Sequence, residues 1–443
     1  MDNEKVSFYI ENTAFTTNYT HENVIQIQSY NKKYTVNYIT TSLDNKIIQA
    51  DDFIIIDENV HKLYPYIIGN NKQGRFTEGD RPGVKRNNDG ERSSESFHIF
   101  VASEETKTMD SVLEILDKLI ALQFTKKNKL IVIGGGITQD VGGFVATIYK
   151  RGIDWVLIPT TLLSMADSAI GGKVCINRKH KNIISLFNAP NEIYISDTFL
   201  TTLSEDDIIS GIGEALKLAL IGGKSCYDFF MENWICKNYT NIIKMSACIK
   251  RAVIEYDELE KYERKILNYG HTFGHALEST TNYFIPHGIA VLYGMYMINR
   301  LFYGNKFQDI NTFILDIIPD KYKKIEISYS TFIQNVLNDK KNNGDKICFI
   351  LLDELGRTKI VYHRLNEPAT PSRIFNARGN VTLPLESPPS GGDLNRQRCN
   401  NSTDTLVSGK SPQQLTTENI NDVHCSLEYH IKELLQDLFI VIT

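Results

Sequence analysis

Residues 131–145, I-V-I-G-G-G-I-T-Q-D-V-G-G-F-V, constrain the fold of this chain more than any other stretch. An apolar segment without alternation reads as a strand buried on both faces, as in parallel sheets. It breaks into Gly134, Gly135 and Gly136, after which Phe144, Val145, Ile148 and Tyr149 recur at helical spacing. Strand, glycine turn and helix in that order let backbone N–H groups approach a pyrophosphate at a helix N-terminus. The glycines do not form G-x-G-x-x-G, so taken alone the run is equally well explained as a tight turn.

The surrounding pattern extends this. Runs 24–27, 34–38, 53–56, 98–101 and 129–133 read as strands, and 109–122 as an amphipathic helix. Alternating strands and helices predict a largely parallel sheet with covered faces. After Asp197 the strands stop, and helical spacing holds over 203–220, 227–234 and 241–256. The expected architecture is an α/β N-terminal domain with a Rossmann-like parallel sheet (1–200) and an all-α C-terminal domain (201–366), divided at about 198–204. Residues 70–95 and 367–422 are polar and poor in aromatics, and read as insertions, loop-like or disordered. Helical apolar spacing returns at 427–439, so 423–443 should close the chain as a helix.

Composition excludes several function classes. A net charge of −5 gives no basic field, so nucleic acid is not an expected partner. An anionic ligand must then be drawn by a local cluster of cations. Seven cysteines without C-x-x-C suggest reduced thiols and a cytoplasmic setting, and M-D-N-E-K lacks a signal-like apolar region. No stretch of eighteen apolar residues marks a membrane span.

Two clusters carry chemistry. His271, His275 and His287 fall within seventeen residues of a chain that holds ten histidines. His271 and His275, four apart, share a helical face, and Pro286 lets a new segment bring His287 back toward it. Two imidazoles with one carboxylate and an open position make a catalytic zinc set, whereas an isolated H-x-x-x-H is more often a surface pair. The second cluster is Arg151, Lys173, Lys181 and Asn182, four donors suited to phosphate within about thirty residues. Asp57, after the run 53–56, suits a ribose hydroxyl, and equally a helix N-cap.

The ordered series G-G-G-x-x-x-D, R-G, P-T-T-L-L, D-S-x-x-G-G-K, K-N, G-E-A-L-K, L-N-Y-G-H-T-F-G-H-A-L-E and H-G-x-A-V resembles the 3-dehydroquinate synthases of the sugar phosphate cyclase superfamily. The resemblance spans residues 53–364. It implies a lyase of the shikimate pathway of aromatic amino acid biosynthesis, converting 3-deoxy-arabino-heptulosonate 7-phosphate to 3-dehydroquinate and phosphate. NAD and Zn2+, for which Co2+ can substitute, are the implied cofactors, and a homodimer the implied assembly. By motif position, Glu214 completes the metal set with His271 and His287. Lys217, one turn on, is similar to a substrate-binding lysine. Lys173, Asn182, His275 and Lys340 or Lys341 resemble the phosphate group, with Lys181 beside them and Arg151 reaching across from the other subunit. Lys250, Arg264 and Asn268 match the carboxylate end and ring hydroxyls. Asp57, Glu104, Lys107, Gly134, Gly135, Gly136, Asp140, Thr160, Thr161, Asp167 and Ser168 fall on the dinucleotide side. The chain departs from the family pattern at Gln139 and Ser103, where glycine is usual, at Ser185, and at Ile289, where a glutamate beside the metal is common. A cyclase of secondary metabolism acting on sedoheptulose 7-phosphate or glucose 6-phosphate would use the same machinery. A zinc-dependent polyol dehydrogenase and a non-catalytic binding protein are further alternatives.

Overall fold

The computed structural model describes residues 5–20, 22–30, 32–39, 47–49, 51–69, 96–339, 341–366 and 426–442. Both proposed insertions, 70–95 and 367–422, lie outside these residues, as does Lys340. In chain order the first part comprises β1 (Lys5–Ile10), β2 (Thr13–Asn18), β3 (Val24–Gln28), β4 (Lys33–Ile39), β5 (Phe53–Asp57), α1 (Glu58–Leu63), α2 (Tyr66–Gly69), β6 (Phe97–Phe100), α3 (Met109–Ala121), β7 (Leu130–Gly134), α4 (Gly136–Ile148), β8 (Trp155–Pro159), β9 (Lys173–Arg178), β10 (His180–Phe187) and β11 (Glu192–Ser196). The helical part follows: α5 (Glu205–Gly222), α6 (Lys224–Ile235), α7 (Tyr239–Asp257), α8 (His271–Thr280), α9 (His287–Tyr303) and α10 (Gln308–Ile317). The chain continues with β12 (Glu326–Ser328), α11 (Tyr329–Leu337), β13 (Ile347–Glu354), β14 (Arg357–His363), α12 (Leu427–Leu438) and β15 (Ile440–Ile442).

Seven strands form the main sheet in the order β3-β4-β11-β8-β7-β5-β6. All neighbours run parallel except β3, which pairs antiparallel with β4 at one edge. Every residue of β5, β7 and β8 is buried, as their unbroken apolar sequences require. The strand order reverses between β5 and β7. The crevice beyond the carboxyl ends at such a switch point is where open α/β sheets bind ligands. Asp57 and Gly134 end the two strands that flank it.

The first two strands do not join this sheet. β1 and β2 complete a four-stranded sheet in the order β13-β14-β1-β2, with Tyr9 facing Arg357 in parallel register. Residues 5–18 thus pack with the helical part, where Arg251 of α7 donates to Thr17 Oγ1 (3.3 Å). An N-terminal unit of 1–200 continuous in sequence is therefore not what the strand pairing gives. The reason is physical: partners almost 350 residues away leave no local signal.

The C-terminal part is mostly helical, as expected. Helix α5 is buried along its whole length from Ile209 to Gly222, not on one face only. It crosses α9 at backbone contact: a Cβ on Gly288 would sit 1.7 Å from the Ser210 carbonyl oxygen, and one on Gly213 2.3 Å from that of Gly288. Glycine at both positions brings the side chains that follow and precede them, Glu214 and His287, together. α12 packs on α9, the Phe439 ring lies tilted against Tyr293 of α9 (4.9 Å between centroids), and β15 pairs with β12. Among the described residues no helix is long and apolar enough to cross a membrane.

Candidate active site

Three elements meet at Glu214, which is 1% exposed on α5. His271 opens α8 and His287 opens α9, and their Nε2 atoms lie 3.3 Å and 3.0 Å from Glu214 Oε1. The other ring nitrogens are committed. His271 Nδ1 donates to the Tyr269 carbonyl (3.1 Å), and His287 Nδ1 donates to Glu278 Oε2 (2.8 Å). Those bonds select the tautomers that turn the Nε2 lone pairs toward Glu214. Glu214 Oε1 nonetheless receives no well-aligned hydrogen bond. His275, one turn after His271, adds a third imidazole, and one nitrogen from each ring falls within 4.8 Å of the others.

The pocket calls for positive charge. Burial would lower the His287 pKa, but Glu278 and Glu214 push it up to about 10, so without a cation this ring carries the positive charge itself, and a metal would take the place of its Nε2 proton. Glu214 itself is held well below the usual carboxylate range: burial opposes this, and Lys217 and His271 prevail. A buried carboxylate oxygen without an aligned donor, faced by the Nε2 atoms of two imidazoles, fits a divalent cation.

Beside this trio lies a row of lysines, each paired with a carboxylate. Lys217 Nζ contacts Glu214 and Asp167 Oδ2 (2.9 Å), and Lys250 Nζ contacts Asp167 Oδ1 and its backbone oxygen (2.6 Å). Burial pushes Lys250 down to about 8, against Asp167 and helped by Arg264 and Lys217. Lys173 pairs with Glu260, which also accepts from Asn268 Nδ2 (2.6 Å). Lys341 pairs with Asp339 (2.7 Å), which lies 4.0 Å from His275. The resting cluster is therefore close to self-neutralised.

Lys181 and Asn182 sit in the irregular stretch of the β9–β10 hairpin, where pairing slips between His180 and Ile184. Such a bulge re-aims side chains. It sends Lys181 between Glu104 (3.1 Å) and Glu278 (2.9 Å). Asn182, in a left-handed conformation (φ 55°), accepts from Lys107 Nζ (2.6 Å), and Lys107 also pairs with Asp140 (2.5 Å).

On the sheet side, Gly134 accepts from the Thr160 N–H (3.0 Å), and a Cβ on Gly135 would meet Thr161 Cγ2 at 2.9 Å. The glycine turn is thus pressed onto the loop after β8. Gly136 opens α4 in this turn, and a Cβ there would lie 3.6 Å from Ser168 Oγ. Asp57 caps α1, accepting from the N–H groups of Asn59 (2.8 Å) and Val60 (3.2 Å).

Two expected residues stand differently. Arg264, 2% exposed, spends its guanidinium on the backbone oxygens of Gly171 (3.1 Å) and Glu258, over the Phe187 ring. Gly171 holds φ 102°, and a Cβ there would strike Arg264 Nη2 at 2.5 Å, so only glycine fits beneath it. The sequence expectation sets this cation against a substrate carboxylate; here Nη1 and Nη2 are held by backbone oxygens, and the buried Nε has no hydrogen-bond partner. Arg151 is exposed, with a left-handed φ of 64°, and forms no ion pair with the other site residues among the described ones. Sequence reasoning missed Glu278, Glu260 and Asp339. Glu278 was detectable, because His271, His275 and Glu278 follow i, i+4, i+7 spacing on one helical face.

Both parts of the chain match known proteins. Residues 98–210 match the family model for the 3-dehydroquinate synthase N-terminal region, and 211–342 that for the C-terminal region. In fold, the chain is similar to a 2-deoxy-scyllo-inosose synthase complexed with carbaglucose-6-phosphate, NAD+ and Co2+ (TM-score 0.60, 22% identity, 77% of this chain and 96% of that one). That likeness defines a two-domain fold, a parallel-sheet α/β part followed by a helical part. In sequence it is 41% identical over 287 residues to the 3-dehydroquinate synthase of Pelagibacter ubique (strain HTCC1062), covering 60% of this chain and 77% of that protein. It is 35% identical over 346 residues to that of Alkaliphilus metalliredigens (strain QYMF), covering 74% and 91%. The chain belongs to the 3-dehydroquinate synthase family.

Proposed function

We propose that this chain is a 3-dehydroquinate synthase, converting 3-deoxy-arabino-heptulosonate 7-phosphate to 3-dehydroquinate and phosphate. The convergence of His271 and His287 on Glu214 Oε1, which receives no aligned hydrogen bond, in a chain 41% identical to a named synthase, carries this reading. Glu214, His271 and His287 would hold a divalent cation, Zn2+ or Co2+, and the crevice between Asp57 and Gly134 would hold NAD. When bound, these groups supply acidification of a substrate hydroxyl and reversible hydride acceptance.

The chain's own residues do the rest. Lys217 and Lys250, steadied by Asp167, present two ammonium groups to the ring oxygens and carboxylate of the substrate. Lys173, Asn182, His275 and Lys341 would surround the phosphate, with the partner subunit's Arg151 completing that end in a homodimer. Glu104, Lys107, Asp140, Thr160, Thr161 and Ser168 line the dinucleotide side. As substrate enters, its anions replace the carboxylates that now neutralise Lys173 and Lys341, so binding exchanges one ion pair for another. Much of catalysis is then alignment in a water-poor pocket.

The test is phosphate release by the full chain supplied with NAD and zinc. Wild type should turn over the seven-carbon keto-acid phosphate, and sedoheptulose 7-phosphate and glucose 6-phosphate should give background rates. Turnover confined to either of the latter two would replace this reading with another sugar phosphate cyclase.

A further inference from the structure

Gln139 is a buried polar side chain, 2% exposed, that none of these binding sets uses. It is the fourth residue of α4, just past the glycine turn. Both ends of its amide are engaged by a single residue: Nε2 donates to the Ser168 carbonyl (2.8 Å) and Oε1 accepts from Ser168 Oγ (3.0 Å). Ser168 follows Asp167, the carboxylate set between Lys217 and Lys250. The segment Ser164–Ser168 is one wide helical turn, closed by Ala169 N–H to the Ser164 carbonyl (2.9 Å). Such turns are rare and recur at functional sites. Lys250 holds the Asp167 carbonyl from one side (2.6 Å), and Gln139 holds the next carbonyl from the other.

We propose that Gln139 is a positioning residue: by clasping Ser168 it fixes the Asp167 carboxylate between Lys217 and Lys250, and so ties the glycine turn of the α/β domain to the lysines of the helical domain. The chemistry of the side chain supports this. A primary amide offers a donor and an acceptor in one plane, as the Ser168 carbonyl and hydroxyl demand. A methionine fills similar space and offers neither strong donor nor strong acceptor. The consequence for turnover rests on the synthase reading above; the clasp itself does not.

Lys250 reports on the clasp. It faces Asp167 from the wide turn, Lys217 from α5 and Arg264 from the turn before α8. Burial and the two cations lower its pKa, Asp167 raises it, and the balance is about 8. If Asp167 can swing away, the ammonium loses its counter-charge and titrates lower.

The experiment follows the Lys250 Cε resonance of the full chain labelled with 13C-lysine, assigned through Lys250→Arg, across a pH titration. Gln139→Met should lower the Lys250 midpoint by at least about half a pH unit, since weaker pairing shifts a pKa in proportion. Ser168→Ala, which removes only the hydroxyl half of the clasp, should move it the same way by less, and carries the test if Gln139→Met does not fold. The alkaline limb of kcat/KM should move with the resonance. An unmoved Lys250 midpoint beside a lowered Tm would make Gln139 a packing residue and overturn the inference. The resonance needs no substrate, so a wild type inactive on every sugar phosphate would refute the synthase reading and leave this test standing.

Discussion

A histidine can hold a cation only through a nitrogen that carries a lone pair, and the partner of its other nitrogen decides which one that is. For His287 that partner is Glu278, 3% exposed and shared with Lys181. Glu278→Gln should therefore weaken zinc binding about ten- to a hundredfold by chelator competition, the usual cost of losing such a partner. His271→Ala, which removes a ligand, should abolish stoichiometric zinc. Unchanged affinity in the first variant would separate Glu278 from the metal site. Lys250 gives a second expectation. Its pKa of about 8 lies below the ordinary 10.5, so it binds its proton less tightly folded than unfolded. Stability should then rise with pH between those values, because the unfolded chain holds more protons there. Activity should run the opposite way: kcat/KM for an anionic substrate is level below about 8 and falls above it. A flat profile to pH 10 would show that the Lys250 charge is not needed. The histidines, Lys217 and Lys250 were legible in the sequence because a motif fixes which residue types occur at which spacing. The carboxylates Glu260 and Asp339 were not, because loop residues carry no period that reveals what they face.

Between elements, the site depends on how closely two helices approach. Side chains normally hold helix axes 8–10 Å apart, and the glycines of α5 and α9 remove that spacer where Glu214 and His287 must meet. Gly288→Ala forces a Cβ into the Ser210 carbonyl, and no rotamer relieves a clash with backbone. Unfolding in denaturant should show a loss of about 3 kcal/mol or more, at or beyond the upper end for overpacking. Zinc affinity should fall with it as His287 is pushed from Glu214. A stable variant with normal zinc affinity would mean that the helices can slide without cost. The helix spacing was readable from the sequence, but this contact was not, since a glycine inside a helical pattern does not say what lies against it. The β9–β10 hairpin was hidden for a related reason. Its charged residues read as ligand donors, while its outer strand is largely solvent-facing and gives no clear alternation.

At the scale of the whole molecule, the ends of the chain are drawn to the helical part. β1 pairs with β14, and α12 returns to cover α9 after residues 367–425. Neither pairing is local, and only the apolar spacing of α12 was visible in advance. The two ends of that excursion lie side by side, because the Glu428 N–H donates to the Leu365 carbonyl (3.3 Å). A short glycine-serine linker can therefore replace residues 367–422 without moving either end. No residue of that stretch falls on a matched family motif, so the deletion should keep kcat/KM within about threefold, under about 1 kcal/mol of transition-state stabilisation. Cutting the chain after residue 366 is a different matter. It strips Leu427, Ile431, Leu435 and Leu438 from the core, each contributing about 1.5–3 kcal/mol when fully buried. It also leaves β12 unpaired and the Tyr293 ring of α9 without Phe439. The truncated chain should lose Tm and, through α9, zinc, while the linker variant keeps both. A tenfold fall in kcat/KM for the linker variant at unchanged Tm would show that the stretch serves the active site directly.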